Sequence, residues 1–322
     1  MTENGDIILM DMYSLKNKLG KVLEFIEDKN NVVFLDYPLH HNVGDLLILS
    51  GTINFFKNNS INVKSHLSTY NTDISQLKKI INNGTTIICH GGGNFGDIYP
   101  VHQNLREQLI KSFPSNRIII LPQTAFFNSI ENQENSQEVF NKHDNVVMFA
   151  RDKKTHEIFK QFSEKAYLMP DMAHELYGTL PKVAKNKPVL YFLRNDVEKN
   201  PIQLQIIKEI KDNDCCDWTD LLTKKDYRVA YGAHQLIRVN RKLKSNALDK
   251  VIFKIWNVHA ETLVSDMSKL FSSYEKVITS RLHGHILSCL VDVPSSIIDN
   301  SYGKNTEYYQ MWTKELDIVS SK

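Results

Sequence analysis

Arg281 and His283 stand two residues apart in Thr279-Ser280-Arg281-Leu282-His283-Gly284-His285, directly after the short apolar pair Val277-Ile278. Gly284 follows, then the apolar run Ile286 to Val291. This order reads as a strand, a tight turn and the first turn of a helix. A helix N-terminus attracts anions through its unpaired N–H groups and its dipole. A guanidinium and an imidazole at that spot suit a small, densely charged acid such as a phosphorylated carboxylate. Arg194, in Leu193-Arg194-Asn195-Asp196-Val197-Glu198 after another apolar run, is a candidate third group for the same anion. The competing readings are a solvated Arg281 beside a core histidine, and a surface Arg194 in a salt bridge with Glu198.

The first half of the chain carries three polar segments after apolar runs. They are Tyr37 to Asp45 (with His40, His41, Asn42 and Gly44), His90 to Asp97 (with Gly91, Gly92, Gly93 and Asn94), and Pro122-Gln123-Thr124. Asp45, Asn94, Asp97 and Gln123 are the residue types that pair with sugar hydroxyls. The competing reading is that glycine and asparagine make turns and Asp45 only caps a helix. Gly91, Gly93 and Gly96 match the dinucleotide fingerprint, but Asp97 would face the pyrophosphate. The acid required about 20 residues on is also missing, so a nicotinamide site is not expected.

These segments need elements to hold them. Apolar runs at Val32–Leu35, Ile61–Leu67, Thr85–Cys89, Arg117–Leu121, Val146–Ala150 and Ala166–Leu168 read as strands. Helical spacing fills residues 11–29, 43–56, 74–81, 105–113, 138–142 and 155–162. Alternation of this kind predicts an α/β fold with a parallel, doubly wound sheet and ligands at the carboxyl ends of its strands. Gly178 to Pro188, with two prolines, a glycine and three lysines, reads as a linker. It divides the chain into residues 1–180 and 181–322. The second series has strands at 188–193, 277–279 and 295–298, helices at 204–210, 227–239 and 248–270, and a closing helix within 305–319.

With 322 residues, 42% apolar and 24% charged, the chain has ample core for two domains or one large one. A net charge of +2, from 39 basic and 37 acidic residues, gives no electrostatic case for nucleic acid. The four cysteines form no metal pattern and are expected to be reduced thiols. No signal peptide or membrane span is read, so a cytoplasmic protein is expected. Lys224 to Lys254 holds nine lysines and arginines against Asp226 and Asp249, interleaved with apolar residues. It is read either as a solvated face or as a surface for anionic membrane.

Taken together, His90 to Asp97, Arg281 to His285 and Asp299 to Lys304 resemble the bacterial polysaccharide pyruvyl transferase family. The segments at 37–45 and 193–198 are similar as well, so the resemblance spans roughly residues 30–305. It implies two Rossmann-like domains facing a cleft, as in GT-B glycosyltransferases. It implies phosphoenolpyruvate as co-substrate, with no other cofactor and no metal. The acceptor it implies is a sugar of a surface polysaccharide or of its lipid-linked precursor, and the product a pyruvate ketal. By the same resemblance, Arg194, Arg281 and His283 match donor-binding positions, and His285, Asn300, Ser301 and Lys304 fall on that side. Asn42, Gly44, Asp45, Gly92, Gly93, Asn94, Asp97 and Gln123 fall on the acceptor side.

In this scheme His283 is the candidate acid, and Asp45 or Asp97 the base, which the family pattern leaves open. The lipid-linked acceptor would place the chain at the cytoplasmic face of the inner membrane. The alternatives are a GT-B glycosyltransferase with a nucleotide sugar and a non-catalytic carbohydrate-binding scaffold. Acceptor sugar and oligomeric state are not readable.

Overall fold

The computed structural model describes residues 11–195, 203, 210, 214–299 and 304–316. Two parallel sheets organise it. In the larger, β1 (Val32–Leu35), β2 (Val63–Leu67), β3 (Thr86–Cys89), β5 (Ile118–Phe126), β6 (Val146–Ala150) and β7 (Ala166–Leu168) run in the order β2-β1-β3-β5-β6-β7, and β4 (Gly92–Gly96) pairs with β5. The smaller sheet has the order β11-β10-β8-β9, from β8 (Lys187–Phe192), β9 (Asp214–Cys216), β10 (Tyr274–Thr279) and β11 (Ser295–Ile297).

Continuous apolar strands are what a sheet covered on both faces requires. β1 shows the division of labour. Val32 and Phe34 join a core with residues of both sheets, while Val33 and Leu35 join a second cluster on the other face of the large sheet. The helices of the first half are α1 (Met12–Lys18), α2 (Val43–Asn58), α3 (Ile74–Ile80), α4 (Pro100–Ser112), α5 (Ile130–Phe140) and α6 (Lys153–Phe162). Side chains of Asn42, Asp73, Ser129 and Asp152 accept N–H groups at the starts of α2, α3, α5 and α6, fixing where each strand turns into its helix.

The second half is not sealed off from the first. α7 (Lys224–Leu243) and α8 (Asn246–Ser272) form a hairpin, and α8 packs on α2 and β2. Trp256 of α8 is fully buried and donates its indole N–H to Pro38 O at 2.6 Å. After α9 (Leu282–Leu290), the segment α10 (Lys304–Tyr308) and the π-helical turn Tyr309–Thr313 return to the first half, where Trp312 donates to Arg151 O at 2.9 Å.

Several elements differ from the sequence expectation. The triple-glycine segment is a strand, not a loop. β4 lies beside β5, and Gly96 (φ 114°) has no room for a Cβ, which would fall 1.8 Å from Phe126 O. Its partner β5 runs nine residues, through Pro122, because a register shift between Ile120 and Gln123 spares the missing proline N–H. α4 starts five residues early, with Pro100 in its first turn, where the absent donor costs nothing. The edge strand β9 was not expected at all. Of the helix expected at 204–210, only Ile210 lies within the described residues.

Candidate functional site

A cavity of about 390 Å³ opens where strands of both sheets end. From the first half come His40, Asn42, Asp45, Gly93, Asn94, Tyr99, His102 and Arg151; from the second, Arg194, Trp218, Arg281, Leu282 and His283. The start of α2, at Asn42 and Asp45, and that of α9, at Arg281 to His283, therefore meet here, and both helix dipoles favour an anion.

His283 is held from behind. Its Nε2 lies 3.4 Å from Oδ2 of Asp171, a fully buried carboxylate at the start of the short 3-10 helix Met172–Leu176. The same oxygen accepts from Arg151 Nη1 at 2.6 Å, and Oδ1 accepts from Ala173 N–H at 2.9 Å. Burial would push this carboxyl up. The hydrogen bond and charge of His283, then Arg151 and the Ala173 N–H, hold it well below the usual carboxylate range instead. The Asp171 N–H donates to the hydroxyl of Tyr308 at 3.0 Å, so the returning C-terminal helix fixes this loop. Gly44 closes the other side: a Cβ there would lie 2.6 Å from His283 Nδ1.

Arg281 is aimed by a second buried carboxylate. Asp217 accepts from its Nε and Nη2, both at 2.5 Å, and also from the Asn195 and Trp218 N–H groups. Arg194, 6% exposed, is tied to the same strand end by its N–H, which donates to Ser280 Oγ at 2.9 Å. Three guanidiniums thus reach one cavity, and carboxylates set those of Arg151 and Arg281 in position.

Across from them, Asp45 lies 3.7 Å from His40 Nε2. Asn94 is part of a buried network. Arg106 Nη2 donates to Asn94 Oδ1 at 2.5 Å and to Asp36 Oδ2 at 2.8 Å, and Asp36 Oδ1 lies 2.6 Å from His102 Nδ1. Gly93 faces the cavity because it has no side chain; a Cβ would sit 3.1 Å from Arg151 Nη2.

Of the residues picked out from sequence, Arg194, Arg281, His283, Asn42, Asp45, Gly93 and Asn94 line this cavity. Others stand elsewhere. His285 is fully buried between Ser295 Oγ (2.8 Å) and Thr313 Oγ1 (2.7 Å), because α9 turns it inward, away from His283. Asp97 lies beyond β4, where it accepts from the Asn128 N–H and the Asn132 amide. These bonds overcome partial burial and hold its carboxyl low. Gln123 is fully buried and supports the site from below, donating to His90 O and to Asn94 Oδ1. Gly92 adopts φ 129° beside Ile48 and Asp45. Asn300 and Ser301 lie outside the described residues, and Lys304 begins α10.

Sequence reasoning missed Arg151, Asp171 and Asp217. The signal was present for the first two: Arg151 directly follows β6, and Asp171 follows β7 by three residues, at carboxyl ends of parallel strands. Asp217 follows β9 and was lost with that strand.

The folding pattern and cavity define an α/β protein of parallel sheets with an arginine-lined cavity where strands of both end. Residues 42–302 match the family described as polysaccharide pyruvyl transferase, and the chain belongs to that family and is a transferase. It is 37% identical over 303 residues to the putative pyruvyl transferase EpsO of Bacillus subtilis, covering 94% of this chain and 91% of that one. Pyruvyl transferase 1 of Schizosaccharomyces pombe is 27% identical over 306 residues, covering 90% and 72%. An uncharacterized protein of Klebsiella pneumoniae shares the fold, with a TM-score of 0.60 at 19% identity over 96% of this chain and 99% of that one.

Proposed function

We propose that the chain transfers the enolpyruvyl group of phosphoenolpyruvate to two hydroxyls of a saccharide, forming a pyruvate ketal and releasing phosphate. In this reading residues 1–180 and 181–322 face each other across a GT-B-like cleft, donor on the second half and acceptor on the first. The observation that carries it is the joint presence of a carboxylate-held histidine and three arginines in one cavity with Asp45 opposite.

Arg281, Arg194 and Arg151 match the carboxylate and phosphate of the donor, for which forked guanidiniums are the natural partners. His283 delivers a proton to the methylene carbon, and the adjoining carbon becomes cationic. Asp171 steadies the imidazolium and fixes the ring. A sugar hydroxyl adds to the cationic carbon and passes its proton to Asp45. The carbon–oxygen bond to phosphate then breaks, phosphate leaves with the proton held by Asp45, and the second hydroxyl closes the ketal and passes its proton to His283, which restores the acid. Asp97, engaged by Asn128 and Asn132, has no part in this scheme.

The setting is synthesis of a surface polysaccharide, capsule or lipopolysaccharide, in the cytoplasm where the donor is made. Among the described residues no helix is long and apolar enough to cross a membrane. The test is incubation with phosphoenolpyruvate and the host's polysaccharide precursors, followed by mass analysis. A product gaining phosphoenolpyruvate less phosphoric acid supports the reading. A hexosyl gain from a nucleotide sugar, with phosphoenolpyruvate inert, overturns it.

A further inference from the structure

The hairpin of α7 and α8 presents an outer face that the core does not use. Ala233 and Ile237 of α7, with Ile252 and Trp256 of α8, point inward and are buried. On the opposite side of α7, Tyr227, Tyr231, Val239 and Leu243 recur at multiples of four; Tyr231 is 67% and Leu243 65% exposed. Val251, Ile255 and Val258 continue this apolar surface on α8. A helix that only faces water carries polar residues there.

Charge on the same surface has one sign. Between Tyr227 and Ala260 the single acid is Asp249, which is buried and accepts hydrogen bonds from Asn71 and Asn240. Arg228, Arg238, Lys242, Lys250 and Lys254 are all exposed among the apolar side chains. Arg241 and Lys244 lean instead on the first half, at Tyr70 O and Asp73.

We propose that this hairpin docks on an anionic lipid bilayer. Exposed tyrosines and aliphatic groups interleaved with cations suit the boundary between headgroups and acyl chains. A second copy of the chain suits it less, since pairing would set like charges against one another. The face also continues to the cavity. The His41 ring packs edge-on to Tyr227 at 5.2 Å and bonds to Asp226 O at 3.0 Å, and its neighbours His40 and Asn42 line the site. If the proposed activity holds, docking brings the cavity to sugars carried on lipid; the docking itself does not depend on that activity.

Flotation of the full chain with vesicles tests this. Expected is binding to an equimolar mixture of phosphatidylcholine and phosphatidylglycerol at low salt, release at high salt, and little binding to phosphatidylcholine alone. Joint reversal of Arg238, Lys242 and Lys254 to Glu should weaken binding by roughly 100-fold or more. Tyr231→Ser with Leu243→Ser should weaken it at any salt. Both variants should keep the wild-type melting temperature and their activity on water-soluble acceptors. No flotation with the anionic vesicles, equal flotation with neutral ones, or undiminished binding by the charge-reversed variant each overturns the proposal. So does a dimer that the Tyr231 and Leu243 changes dissolve without any effect on flotation.

Discussion

Replacing Asp171 by Asn removes one negative charge from two partners at once. Arg151, 2% exposed, loses the carboxylate 2.6 Å from its Nη1, and His283 loses the group that orients its Nε2. Stranding a buried guanidinium costs about 3–5 kcal/mol. Against a total stability of about 5–15 kcal/mol, this leaves a folded protein that melts on the order of 10 °C lower. Turnover should fall about 10²–10⁴-fold, the range for loss of a positioned acid.

The assay is phosphate release from phosphoenolpyruvate with a competent acceptor, run beside calorimetric donor binding and thermal melts. Adding Arg151→Met to Asp171→Asn removes the stranded charge, so melting should recover most of its loss while turnover stays low. An Asp171→Asn protein that melts lower but turns over at the wild-type rate would mean that Asp171 only holds the fold and that His283 acts without it.

Arg281→Ala and His283→Ala should part company: the first weakens donor binding by about 1.5–3 kcal/mol, read by calorimetry. The second should lower turnover about 10²–10⁴-fold with donor affinity nearly kept, and the reverse pattern would remove His283 from the acid role. Gly44→Ala pushes the His283 ring from its seat, so turnover should drop while the melting temperature changes by a few degrees at most; a wild-type rate would show that the ring position is not critical. Acid should unfold the protein early. Burial pushes His66, His90 and His174 down to about 4 and His285 to about 3. The unfolded chain binds these protons near pH 6.5, so below that value each residue withdraws about 1.4 kcal/mol of stability per pH unit until its folded value is reached. Urea midpoints measured from pH 7 to 4 should slope accordingly, and a flat series would contradict the burial of these rings.

The larger sheet was legible because its strands are continuous apolar runs bounded by polar turns; Val146–Ala150 and Ala166–Leu168 match to the residue. β9 was not, since Asp214-Cys215-Cys216 is short, polar and at an edge, and only its pairing with β8 makes it a strand. One side of the cavity was visible through Arg194, Arg281 and His283, which follow apolar runs. The groups that aim them were invisible for a different reason. Asp171 is 112 residues from His283 and Asp217 64 residues from Arg281. Local spacing holds no record of such partners. His285 misled because a two-residue step on a helix turns a side chain to the far side, which adjacency in sequence hides.

The return of the C-terminal helix gives the site a history as well as a shape. The loop bearing Asp171 is made in mid-chain, yet its N–H is held by Tyr308, and Arg151 O by the indole of Trp312. On the ribosome, the first sheet can form while these two rings are still being synthesised. The carboxylate behind His283 then waits for them, and the turn at Tyr309–Thr313 works as a latch that closes after the sheet it seals.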